Sequence, residues 1–236
     1  MIKKSLLEEL ANRLQPLYAH LFKEVESFND STKFCAMCGS LFPIEANQGL
    51  LMVGRATNGW IEPKDVNELI DSLFDEEPLR WVEESAGNDK EYNTRRSAFW
   101  RVIKGVAEAF YPDGWFQNIC WSNLCKAAPQ AGNPNNSLYY AQLEDCQKIL
   151  EAEIKILSPK AVLLFTGYNW AKDFLVYFND GIEPQPTTTA TWSRYECKVF
   201  LIKGTYYILT EHPQGKKEAV HKETLKKLLK NLPEGK

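Results

Sequence analysis

Long apolar runs are missing from this sequence of 236 residues. None approaches the roughly 20 residues that a membrane-spanning helix needs, so no such span is expected. A strong charge of either sign is missing too. The formal net charge is −3, which argues against a protein that coats nucleic acid non-specifically but leaves room for a local phosphate-binding cleft. No segment repeats and none is of low complexity. Histidine is scarce, with His20, His212 and His221 the only three. Glu8 and Glu9 interrupt the apolar residues of the first ten positions, so no secretion signal is expected. With no signal, the six cysteines are expected to be mostly free thiols in a reducing, cytoplasmic setting.

What is present reads as alternating helices and buried strands. Leu6, Leu7, Leu10, Leu14, Leu17 and Leu21 fall at helical spacing within 3–28, with Pro16 expected to kink or split the helix. A loop with Cys35 and Cys38 follows. Residues 1–48 are thus a helical arm with a cysteine-containing loop, packed on a domain formed by 49–236. Leu50-Leu51-Met52-Val53 and Ala161-Val162-Leu163-Leu164-Phe165 are continuous apolar runs, as strands covered on both faces require. Residues 115–123 suggest a further buried strand, and 195–202 with 205–209 either a hairpin around Lys203-Gly204 or an edge strand and a central one. Helices are expected over 63–74, 94–110, 138–157, 168–178 and 217–229, with 75–93 irregular and exposed and 183–191 a loop. Strands alternating with helices predict the α/β class: a three-layer α/β/α domain around a central, mainly parallel sheet.

Ligands of such sheets sit at the carboxyl ends of the strands, which singles out three loops. The first is Gly54-Arg55-Ala56-Thr57-Asn58-Gly59-Trp60. Its glycines allow a tight turn and close approach to a ligand, Arg55 offers a planar fork, and Asn58 can hold a water. The second runs from Asn123, through Lys126, to Asn136. A strand-end Asn can bond both the donor and the acceptor of a pyrimidine edge, though it can equally cap its own strand. The third is Glu211-His212-Pro213-Gln214-Gly215, followed by Lys216. A histidine there can donate to a developing oxyanion, against the ordinary reading of a hydrated surface turn, which is also the reading for His20 and His221.

Taken together and in order, these segments resemble the uracil-DNA glycosylase superfamily. Gly54-Arg55-Ala56-Thr57 looks like its first-strand loop, Asn123 like its base-reading Asn, and His212-Pro213-Gln214 like its last-strand His-Pro-Ser. Phe99-Trp100-Arg101-Val102-Ile103 is similar to a helix of the mismatch-specific branch. Ser158-Pro159-Lys160, running into the strand that ends at Thr166-Gly167, is similar to a shared scaffold segment. The resemblance spans about residues 49–229 and implies the fold of that superfamily. It also implies a glycosylase that flips uracil or a related deaminated base from DNA and cleaves its N-glycosidic bond. His212 would stabilise the leaving base and Asn58 would hold water. Asn123, Tyr92, Gly54, Arg55, Ala56 and Thr57 would bind the base, with Tyr92 as stacking ring and Phe99 or Trp100 as its substitute. Lys126, Pro213, Gln214, Gly215 and Lys216 would contact DNA.

Three positions depart from the superfamily pattern: Ala56 replaces a polar residue, Thr57 a proline and Gln214 a serine. Ala56 and the acidic net charge motivate an alternative, an inactive member that binds DNA, a nucleotide or another base-like ligand. A plain interaction module is the third reading. The iron–sulfur branch supplies one more comparison, since Cys35, Cys38, Cys125 and Cys146 lie near its four ligands. The order of Cys125 and Lys126 is reversed relative to that branch, so free thiols and no metal are the expectation, with Cys120 and Cys197 as buried strand residues.

Overall fold

The structure is a computed structural model and describes residues 2–28, 30–43, 47–85 and 92–233. The elements run α1 (Ile2–Glu24), β1 (Ser31–Lys33), β2 (Met37–Cys38), β3 (Leu50–Gly54), α2 (Val66–Asp71), α3 (Arg80–Glu84) and α4 (Ala98–Ala107). There follow β4 (Ile119–Asn123), β5 (Ala127–Pro129), α5 (Asn136–Leu157), β6 (Ala161–Phe165), α6 (Tyr168–Phe178), β7 (Thr188–Trp192), β8 (Tyr195–Ile202), β9 (Thr205–Thr210) and α7 (Glu218–Lys230).

The main sheet is mixed, in the order β2-β4-β3-β6-β9-β8-β7. Its four inner strands, β4, β3, β6 and β9, are parallel; β2, β8 and β7 join antiparallel. The apolar runs of β3 and β6 are buried at every position, because each strand feeds two cores in alternation. Leu51, Val53, Val162 and Leu164 pack under α1, α5 and α6 on one face. Leu50, Met52, Leu163 and Phe165 pack under α4 and α7 on the other. The α/β class is therefore observed, with the sheet covered on both sides.

Helix α1 passes through Pro16 without splitting. Leu7, Leu10, Leu14, Tyr18 and Leu21 form its buried stripe, and burying each is worth about 1.5–3 kcal/mol, more in sum than the roughly 3 kcal/mol cost of an internal proline. The hairpin around Lys203-Gly204 forms, with both residues at positive φ as a two-residue turn demands, and its second strand, β9, lies inside the sheet.

Other expectations are corrected. Residues 183–191 are not all loop, since β7 adds the last strand through Thr188–Trp192. The stretch 75–93 is not all irregular and exposed. Leu79 and Val82 are buried around α3, and Trp81 joins an aromatic cluster; residues 86–91 lie outside those described. Residues 115–117 form a 3₁₀ turn before β4 begins. Asp65 and Ser97 start α2 and α4 later than expected, because their side chains accept the N–H groups of Glu68 and Trp100.

Two further corrections concern chemistry. Cys38 and Cys120 are cross-strand partners of β2 and β4 and form a disulfide, so not all the expected thiols are free; Cys35, Cys125, Cys146 and Cys197 are. The bond also removes Cys38 from the four-cysteine set. Lys126 does not face DNA. Its side chain is fully buried and donates to Glu153 Oε1 at 2.7 Å and Oε2 at 2.9 Å and to Ser122 Oγ at 2.6 Å. A buried ammonium needs such partners, and here they come from α5 and β4.

Lys126→Met leaves Glu153 as an uncompensated buried charge. Chemical denaturation is expected to show a loss of about 3–5 kcal/mol, largely recovered when Glu153→Met is added. A single-variant loss below about 1 kcal/mol would contradict this account of the pair.

Candidate functional site

Parallel pairing brings the carboxyl ends of β3, β4, β6 and β9 to one edge of the sheet. Gly54 is in register with Asn123, and Phe165 with Thr210. Backbone bonds continue the ladder past the strands. Leu124 N donates to Gly54 O at 2.9 Å, Cys125 N to Arg55 O at 2.8 Å, and Gly167 N to Thr210 O at 2.9 Å. The three loops singled out from the sequence are thereby fixed around one cavity of about 700 Å³, within the range of small-molecule sites.

Asn123 is the most deeply placed polar residue of its wall, with 1% of its surface exposed. Its Nδ2 is buried and has no partner among the described residues. A Cβ on Gly54 would collide with Asn123 Oδ1 and touch the Phe99 ring, so glycine is required here by close approach rather than by backbone angle. An unpaired buried amide costs about 1–3 kcal/mol, which is retained where a ligand supplies the missing acceptor.

His212 follows β9 and lies nearly parallel to Phe99, with ring centroids 6.0 Å apart at 8°. Its Nδ1 accepts from the backbone N–H of Gln214 at 3.3 Å, so in the neutral ring the proton sits on Nε2. Burial pushes its pKa down to about 4, helped by the positive charges of Arg55 and Lys216. The imidazole is therefore neutral near pH 7, with one N–H left to donate. Lys216 supports the turn by donating to the His212 carbonyl at 2.7 Å.

The first loop is more structural than expected. Arg55 Nε donates to Thr166 O at 2.7 Å, its guanidinium lies 5.6 Å from the Trp170 ring, and burial lowers its pKa. Ala56 and Thr57 line the cavity, Thr57 fully buried. Asn58 also lines it, and its Oδ1 accepts from Gly132 N at 2.6 Å, which ties the first loop to the second.

Other expected positions divide. Tyr92 stands at the rim, 54% exposed, and Gln214 also lines the cavity. Phe99 sits inside, between Gly54 and His212, and is better placed than Tyr92 to cover a flat ring. Trp100 is buried in the core and also lines the cavity. Pro213 is buried and so offers no surface to DNA, while Gly215 is exposed at positive φ beyond the cavity wall. His221 is not a hydrated surface residue. It is fully buried, 2.7 Å from Thr210 Oγ1 and stacked on Trp192 at 3.8 Å, and burial pushes its pKa down to about 3. His20 is partly exposed and pairs with Asp145 at 2.9 Å.

Trp60, Trp81 and Trp121 were not expected at the site, and all three line it. Trp121 was legible, since it lies two residues before Asn123 on one strand and so shares its face. Trp81 was hidden in a segment whose acidic composition suggested exposure.

Imidazole NMR is expected to show His212 protonated at Nε2, neutral down to pH 5, and titrating near 4; a midpoint near 6.5 would contradict the desolvated site. Histidine in the unfolded chain titrates near 6.5, so between that pH and about 3 the unfolded state holds more protons than folded His221 does. Stability is thus expected to fall as pH drops below about 6.5, at up to about 1.4 kcal/mol per pH unit from His221 and, down to about pH 4, as much again from His212, with His20, whose pKa is raised by Asp145, acting in the opposite sense.

No protein-family model, curated protein or solved structure matches this chain.

Proposed function

We propose that the cavity receives a nucleobase extruded from DNA and that the chain is a divergent uracil-DNA glycosylase-like hydrolase of the N-glycosidic bond. The observation that carries this reading is the convergence, in one cavity, of a buried Asn123 amide without a partner among the described residues and a His212 whose Nδ1 already accepts from Gln214, which leaves the proton of the neutral ring on Nε2. An Asn amide complements a lactam edge, donating to its carbonyl and accepting from its ring N–H. Phe99 covers the ring. Flipping the base costs a few kcal/mol of stacking and pairing, recovered by these contacts.

The bond from C1′ to the base breaks heterolytically, and its electron pair leaves with the base. Positive charge develops on the sugar and negative charge on the base carbonyl. His212 Nε2–H donates to that oxygen, and a neutral donor suits the task because no proton has to be transferred fully. Water adds its oxygen to C1′ and releases its proton to solvent.

Ala56 favours a second reading, in which the chain binds a base without cleaving it. At that position no group can orient the water, and Asn58 Oδ1 is already engaged by Gly132. Incubation with uracil-containing single- and double-stranded oligonucleotides, scored for abasic sites, separates the two. Cleavage is expected, reduced about 10²–10³-fold by His212→Ala with a much smaller change in DNA affinity. Binding that depends on Asn123 without any abasic product selects the second reading, and absence of both overturns the proposal.

A further inference from the structure

The edge of the main sheet formed by β7 is open. β7 is the last strand in the order, and Thr188, Thr189 and Thr191 on it are exposed. Sheet edges are ordinarily blunted by brevity, charge, proline or a covering element, because their unpaired N–H and C=O groups accept a further strand. β2, at the opposite edge, has two residues. β7 has five, none of them charged and none proline. The charges that flank it along the chain, Glu183 and Arg194, are engaged with Tyr168 and Lys172 and with Tyr195. Pro184 and Pro186 confine the open stretch to the residues that follow them.

The turn between β7 and β8 decides which backbone groups face outward. Ser193, at φ 53°, and Arg194 form a two-residue turn, so Trp192 and Tyr195 close it as a hydrogen-bonded pair. Such pairs alternate along an antiparallel ladder. Thr188, Ala190 and Trp192 therefore bond to β8, while the N–H and C=O groups of Thr189 and Thr191 point away from the sheet and have no partner among the described residues. This edge is its own complement. Thr189-Ala190-Thr191 reads the same in both directions, so a two-fold axis at Ala190 sets Thr189 of each copy opposite Thr191 of the other. Each such pair exchanges N–H···O=C bonds both ways, the threonine side chains meet on one face, and no like charges are opposed.

The neighbouring helix adds apolar surface. Glu218 of α7 bonds to Arg101 of α4, and Lys222 lies against Gly105 of α4. Val220 stands about 200° around the helix from both, so it is turned away from α4, and it is 44% exposed. At this level α7 reaches β7, through His221 stacked on Trp192. We infer that the chain self-associates through β7 as a two-fold dimer, antiparallel with Ala190 on the axis, so that one sheet runs through both copies and Val220 of each flanks the junction. The inference does not depend on what the cavity binds. A pair of five-residue strands is smaller than a standard interface, so the association is in the micromolar range.

Sedimentation velocity of the full chain at about 2 and about 200 μM brackets that range. The mass is expected to rise from 27.1 kDa to twice that value. Thr191→Pro removes an outward N–H and none that bonds to β8, and is expected to weaken association about tenfold or more. Should it fold poorly, Thr189→Lys with Thr191→Lys, at exposed side chains, sets lysine opposite lysine and is expected to leave a monomer, as is the matching pair of glutamates. Mixing the lysine and glutamate variants is expected to restore the doubled mass. A chain that stays monomeric at about 200 μM overturns the proposal and leaves the edge to a strand of a different protein. A dimer that persists in the lysine variant, or a lysine–glutamate mixture that stays monomeric, places the contact elsewhere and overturns it equally.

Discussion

A single close approach organises the site: Asn123 lies against Gly54 where β4 and β3 end in register. Any side chain at Gly54 would displace the amide, and with it the donor and acceptor that point the cavity toward a lactam. The parallel ladder makes that approach possible. It carries the β3 and β4 ends to the same height and continues for two further hydrogen bonds into the loops.

Beneath this contact the chain is tied down more firmly than its loop character suggests. Lys126, three residues beyond Asn123, is fastened to Glu153 on α5, and Gln142 of the same helix clasps both backbone groups of Ala127 at 2.8 Å. β5 pairs with β1, and Thr32 Oγ1 donates to Ala128 O at 3.1 Å. The segment after Asn123 is thus held from two sides. Such anchoring lets the Asn123 amide remain buried and unpaired without collapsing onto a neighbour.

Much of the fold was legible because continuous apolar runs admit few alternatives. Residues 50–53 and 161–165 read as strands buried on both faces, and they are. The convergence of the Gly54, Asn123 and His212 loops followed from parallel topology alone. Burial partners were not legible. Lys126 reads as a surface cation in sequence, and only the position of Glu153, 27 residues later on the packed face of α5, makes it an internal one. His221 is hidden in the same way by Trp192 and Thr210, and Cys38 by its cross-strand neighbour Cys120. Pro16 does not split α1, because a local rule was outweighed by a long buried stripe. Trp121 shows that strand phase places an aromatic ring better than loop position does, whereas Tyr92 was chosen by loop position and lies at the rim.

The account depends on the Asn123 amide meeting a base edge. Its side-chain NH₂ resonances in a ¹⁵N-labelled chain report this directly, because a new hydrogen bond moves them downfield. Adding an oligonucleotide with an uncleavable lactam base is predicted to shift both the ¹H and ¹⁵N signals, and Gly54→Ala to abolish the shift while the protein stays folded. Side-chain resonances of Asn123 that do not move in the bound complex would contradict it.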